Sequence, residues 1–93
     1  MVRAVVLYES EPDPERYQRH VEEFVAPVEC DAFRHGTSFG APFGRPAFAY
    51  YAEFEWADRE SFNAAVRSNA FAASGKDAME MGIPFTIAFV EIS

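Results

Sequence analysis

Two spacings alternate along this chain: strand-like apolar runs, and helical stripes that recur at three and four residues. Val2 to Glu9 is β-branched and aromatic on both parities, with Ala4, Val6 and Tyr8 against Val5 and Leu7, as in a central strand covered on two faces. Asp13 as N-cap and Pro14 at the first helical position then predict a helix running to about Ala26. Its apolar stripe is Tyr17, Val21, Phe24, Val25 and Val28, which leaves Glu15, Arg16, Arg19, Glu22 and Glu23 to water, and Pro27 ends or kinks it. Ala32 to Phe39 alternates as a half-exposed second strand, with Phe33, His35, Thr37 and Phe39 on one side. The turn-rich segment Gly40 to Pro46 predicts a long hairpin loop, and Ala47 to Trp56 a third strand with Phe48, Tyr50, Ala52, Phe54 and Trp56 on one face. Asp58 caps a second helix carrying Phe62, Ala65 and Val66. Ser68-Asn69 breaks it and recaps a segment from Ala70 to Met81, locally weakened by Gly75 and closed by Gly82. After Pro84, Phe85 to Ile92 forms a fourth strand, apolar on both parities.

The order β-α-β-β-α-β predicts an α+β chain of the ferredoxin-like type, one domain over residues 1–93, with a four-stranded antiparallel sheet and its helices on one face. Right-handed crossovers put strands one and three in the centre and strands two and four at the edges. Strand four is then an edge with no internal Lys or Pro, apolar on both sides although helices cover only one. A second copy of the chain, packed sheet to sheet as a homodimer, solves this. The alternative is that strand four is short and its parity overstated.

Charge narrows the partners. Fifteen acidic against eight basic residues give −7, which repels nucleic acid and anionic membrane surfaces, and no apolar run approaches the roughly 20 residues of a membrane span. The first residues read as strand rather than as a secretion signal, so a cytoplasmic location is expected. One cysteine, Cys30, closes no disulfide within the chain, and it forms no zinc spacing with the two histidines.

Several segments resemble the EthD-like family, a branch of the dimeric α+β barrel proteins. The resemblance rests on the strand Val2 to Tyr8, on Asp13-Pro14-Glu15, and on Tyr17-Gln18-Arg19-His20 with Pro27 following. Val28 replaces the family's Leu, Val25 stands where a second His is usual, and Ser68 with Asp77 nine positions later matches a helix-cap pattern. The resemblance implies a dimeric α+β barrel: a homodimer of face-to-face sheets, with a mainly apolar cavity between sheet and helices in each chain. Within that superfamily such cavities serve cofactor-free monooxygenases, isomerases and cyclases, haem enzymes, and proteins without activity.

Against this background His20 is the candidate acid–base residue. It lies three after Tyr17 and four before Phe24, on the buried side of its helix, and imidazole titrates near neutral pH. A structural histidine bonded to a carbonyl is the competing reading. Tyr8, Tyr17, His35, Tyr50 and Asp77 are the candidate binding residues, set against the readings of core tyrosine, sheet-surface histidine and solvated helix acid. Cys30 reads as inert and Met79 and Met81 as apolar filler. Two functions follow: an enzyme acting without a bound cofactor on a planar apolar compound, or a non-catalytic small-molecule-binding or accessory protein of a degradation or stress pathway. A haem role for His20 or His35 ranks third.

Overall fold

The computed structural model describes residues 1–93. β1 (Val2–Tyr8) leads through a turn to α1 (Pro14–His20), which continues as one π-helical stretch, Val21–Val25. β2 (Ala32–Thr37), β3 (Tyr50–Trp56), α2 (Arg59–Val66), α3 (Asn69–Glu80) and β4 (Phe85–Glu91) follow. The strands lie in the order β2-β3-β1-β4, every neighbour antiparallel, so β1 and β3 are central in a ferredoxin-like α+β sheet.

The helix starts are chemical. The Asp13 carboxylate accepts from Arg16 N, Asp58 from Ser61 N and the Ser68 hydroxyl from Phe71 N, each satisfying an orphan donor of a first turn. Gly82 takes φ 77° just past the end of α3, a conformation that suits glycine.

The register fixes which residues face the helices. Trp56, Phe54, Ala52 and Tyr50 of β3 stand opposite Val2, Ala4, Val6 and Tyr8 of β1, and Phe33, His35 and Thr37 of β2 join them. Two cores form on this side. At one end Val2, Ala4, Phe54 and Trp56 pack on Val25, Val28, Phe62 and Ala65; at the other Val6, Tyr8 and Ala52 pack on Tyr17. Trp56 is almost fully buried and its indole donates to the Glu29 carbonyl at 2.8 Å. Deleting such a ring costs about 3–5 kcal/mol, so this end anchors the sheet.

Four local expectations are corrected. The first helix does not run as α-helix to Ala26: Ala26 N bonds Val21 O, an i→i+5 step. Of the expected stripe, Tyr17, Val25 and Val28 are buried, and so is His20 as its spacing predicts, whereas Val21 and Phe24 are only half-buried. The second strand stops at Thr37 and Phe39 is fully exposed, because the Pro- and Gly-rich segment after it leaves the sheet. The third strand starts at Tyr50 rather than Ala47. On the open face of the sheet, Glu53 is buried beneath Arg34, which donates to it at 2.7 Å, and the Tyr51 hydroxyl, also at 2.7 Å. Burial pushes the Glu53 carboxyl up, but Tyr51 and Arg34 outweigh that and hold it below its usual range.

β4 packs along β1 and little else. On the helix side it presents Phe85, Ile87 and Phe89, of which Ile87 is 47% and Phe89 55% exposed, and on the open face Ala88 and Val90. Within one chain its helix side is covered only in part, by Phe62 against Phe89 and by Tyr8 against Phe85, and its open face is bare.

Candidate functional site

α1 and α3 meet over the Tyr8 end of the sheet, and the contact between them is ionic. Asp77, on α3, is 5% exposed and takes three hydrogen bonds from α1. Arg16 donates through Nη1 at 3.0 Å and Nη2 at 2.7 Å, a bidentate fork, and His20 Nδ1 lies 2.8 Å from Oδ2. Arg16 and His20 are four residues apart, hence on one side of the helix, and the Asp13 cap sets where that helix begins.

The protonation states follow from the contacts. Burial pushes the Asp77 carboxyl up, yet Arg16 and His20 more than reverse this and hold it below the usual carboxylate range, so it is ionised at neutral pH. An ionised carboxylate only accepts, so His20 carries its proton on Nδ1. Burial lowers the His20 pKa; Asp77 opposes that incompletely, and Arg16 adds to it. At neutral pH His20 is therefore a neutral ring with a lone pair on Nε2. That nitrogen makes no hydrogen bond within the chain, while the ring is 4% exposed.

Tyr17 is the centre of the surrounding rings. Its centroid lies 5.2 Å from His20, 5.1 Å from His35, 5.2 Å from Tyr50 and 5.9 Å from Tyr8. Its hydroxyl is the one fully buried side-chain polar atom that meets no partner in full hydrogen-bonding geometry, although the Tyr8 hydroxyl lies near enough to perturb it. An unmet hydroxyl costs about 1–3 kcal/mol. Burial, then the neighbouring Tyr8, drive its pKa far up, so it remains an O–H donor.

Tyr8, Tyr17, His20, Phe33, Phe71 and Phe85 line an enclosed cavity of about 60 Å³ between the helices and the sheet. Outside it, Tyr17, His35, Tyr50, Glu11 and Thr37 line a cleft of about 230 Å³. There His35 Nδ1 and the Tyr50 hydroxyl share a hydrogen bond, and Thr37 donates to Glu11 at 2.7 Å. The structure thus brings all six candidate residues, Tyr8, Tyr17, His20, His35, Tyr50 and Asp77, to one end of the molecule. His35 and Tyr50 lie on the outer side, His20 and Asp77 on the inner.

Arg16 is the residue that the sequence reading gives to water, and it belongs to this site. A helix-surface arginine and a helix acid 61 positions apart carry no local signal of pairing; only Asp77's place nine after Ser68 marked it. A larger concavity, about 710 Å³, lies at the other end of the sheet beside Cys30 and Trp56. It holds no paired acid and base, and burial raises the Cys30 thiol pKa, which leaves it unactivated. No group of three or more His, Cys, Asp or Glu side chains is set to hold a metal ion. No helix is long and apolar enough to cross a membrane.

Because burial favours the neutral ring, the folded His20 pKa lies below the unfolded value of about 6.5. Its contribution to stability is then present above that value and lost as pH falls through the folded pKa. An NMR titration is expected to place His20 below 6.5. Asp77→Asn is expected to lower it further, since the charge favouring imidazolium is gone, and to cost about 3–5 kcal/mol in urea unfolding at neutral pH. A His20 pKa above 6.5 would mean that Asp77 outweighs burial.

No family model matches the chain, and no curated protein matches it. Among solved structures it is similar to an ethyl tert-butyl ether D (EthD) family protein of Bacillus halodurans C-125, at 26% identity and TM-score 0.78, covering 100% of this chain and 99% of that one. A dimeric ferredoxin-like protein of unknown function from Thermobifida fusca YX matches at 12% identity and TM-score 0.68, covering 98% and 90%. An antibiotic biosynthesis monooxygenase matches at 15% identity and TM-score 0.56, covering 100% and 99%. The last two identities speak for the fold alone. With its four-stranded sheet and its element order, the chain has the ferredoxin-like α+β fold of these proteins, and its likeness is to the EthD family structure.

Proposed function

We propose that this protein is a homodimer in which each chain carries an apolar pocket where His20 moves a proton on a planar, mainly apolar compound, without a tightly held cofactor. One observation carries the reading: a neutral, buried His20, held through Nδ1 by ionised Asp77, makes no hydrogen bond through Nε2, and its ring lies 5.2 Å from that of Tyr17, whose buried hydroxyl is also unpaired. A base and a donor in one dry site suit removal of a proton from a carbon next to a carbonyl. Nε2 takes the proton, Tyr17 donates to the developing enolate oxygen, and Asp77 steadies the imidazolium that forms. Arg16 positions Asp77. Tyr8 packs the ligand's inner side, while His35 and Tyr50 line the approach from the outer cleft. Such proton removal is a first step common to isomerases, cyclases and cofactor-independent oxygenases, and the fold likeness to an antibiotic biosynthesis monooxygenase is compatible with it.

The second reading, a non-catalytic binding or accessory protein, is favoured by one feature: the bidentate Arg16–Asp77 pair straps α1 to α3, as a purely structural network would.

The homodimer draws support from the open face. Val5, Leu7, Ala88 and Val90 lie together there, the edge of β4 is bare, and the Thermobifida neighbour is described as dimeric. Static light scattering at micromolar concentration is expected to give twice the 10.5 kDa chain mass. A single-chain mass would remove the dimer from the account.

The catalytic reading is tested with 2-tetralone, a flat bicyclic ketone with an acidic C–H. Wild-type protein in D₂O is expected to speed deuterium entry at that carbon over buffer, while His20→Phe keeps the fold and assembly and runs at the buffer rate. Wild-type binding with no acceleration would favour the accessory reading. Undiminished acceleration by His20→Phe would exclude His20 as the base.

A further inference from the structure

A cavity of about 60 Å³ has room for only a couple of water molecules, so a ring compound that reaches His20 needs more space than the enclosed part offers. The lining itself locates that space. Two of its residues, Gly75 on α3 and Ile87 on β4, are exposed at the protein surface and line the cavity as well. The cavity therefore opens to the surface between α3 and β4.

The walls of this slot are apolar. α3 contributes Gly75, Ala78 and Ser74, whose hydroxyl is turned to the Phe71 carbonyl at 2.7 Å, and β4 contributes Phe85 and Ile87. Tyr17 and His20, 3% and 4% exposed, line it too, and neither Tyr17 Oη nor His20 Nε2 has a hydrogen-bond partner. Gly75 is the telling residue. It lies mid-helix, where glycine is less stable than alanine, its φ is not positive, and a Cβ built on it meets nothing within 4 Å. Neither backbone nor packing demands glycine there. What its missing side chain leaves is width at the mouth.

We propose that the slot between α3 and β4 is where a ligand enters and lodges, and that Gly75 sets the thickness of what it admits. The ligand class is a flat, mainly apolar ring compound, one ring thick, with a hydroxyl or carbonyl at its inner end to meet Tyr17 and His20. This rests on the reading of the cavity as a ligand pocket. The slot lies on the helix side of β4, away from the open face assigned to the partner.

The test is binding of 2-naphthol, followed by its fluorescence, to wild-type protein and to Gly75→Leu, Ala72→Leu and Tyr17→Phe. Ala72 is exposed on the same helix and does not line the cavity, so Ala72→Leu controls for added surface bulk. Gly75→Leu is expected to keep the circular dichroism and melting behaviour of a folded protein and to lose about tenfold or more in affinity, with Ala72→Leu unchanged. Tyr17→Phe should also weaken binding. If Tyr17→Phe weakens binding and Gly75→Leu does not, the slot is wrong and the pocket stands. If wild-type protein does not bind 2-naphthol up to its solubility limit, pocket and slot fall together.

Discussion

A buried carboxylate must be paired, and the pairing of Asp77 organises this end of the molecule. Removing an ion from water costs several kcal/mol, recovered only when its hydrogen-bonding capacity is filled. Asp77 fills it from one helix, with two bonds from Arg16 and one from His20. α1 is thereby fixed in rotation against α3. The same arrangement sets the state of His20, because a ring that gives its Nδ1 proton to an ionised acid presents a bare Nε2 on its other side. One contact thus acts as a structural strut and, in the proposed function, readies the base, with the unmet hydroxyl of Tyr17 in the same cavity.

The rest of the fold divides into a finished half and an unfinished one. Around Trp56 the sheet is closed by α2 and by the segment after α1, and the rings of Phe54, Phe62 and Phe71 pack about the indole. Around Tyr8 a small cavity lies between the helices and β4, and the tyrosines and histidines enclose little volume. Apolar surface left open at Ile87, Phe89 and Val90 would be costly in an isolated chain. On the helix side Ile87 would serve the proposed slot, and on the open face Val90 would serve the proposed second copy.

Much of the fold is legible along the chain, because its caps and turn residues each act on one local backbone. Asp13 with Pro14, Asp58, Ser68 and Gly82 mark helix ends where they occur. The alternation in Phe54, Ala52 and Tyr50 assigns a face, and the three-residue step from Tyr17 to His20 puts both on the buried side of α1. What escapes a local reading is non-local or conflicts with an equally good local pattern. Val21, Phe24 and Val25 make a satisfactory α-helical stripe, and nothing in them announces the π-turn over Val21–Val25 or that Val21 and Phe24 stay half-buried. Arg16 and Asp77 each look like solvated helix residues, since their attraction exists only once α1 and α3 are packed. Glu53 occupies a strand position that faces away from the helices and is buried by the side chains of Arg34 and Tyr51 lying over it. Phe39 continues the alternation of β2 after the backbone has left the sheet.

The account stands on the claim that Asp77 fixes the proton of His20 on Nδ1. Long-range ¹H–¹⁵N correlation spectra of the two imidazoles, recorded above pH 7 with ¹⁵N-labelled histidine, report the tautomer directly. The structure predicts that His20 shows a protonated Nδ1 and a bare Nε2. A His20 ring carrying its proton on Nε2 would contradict it.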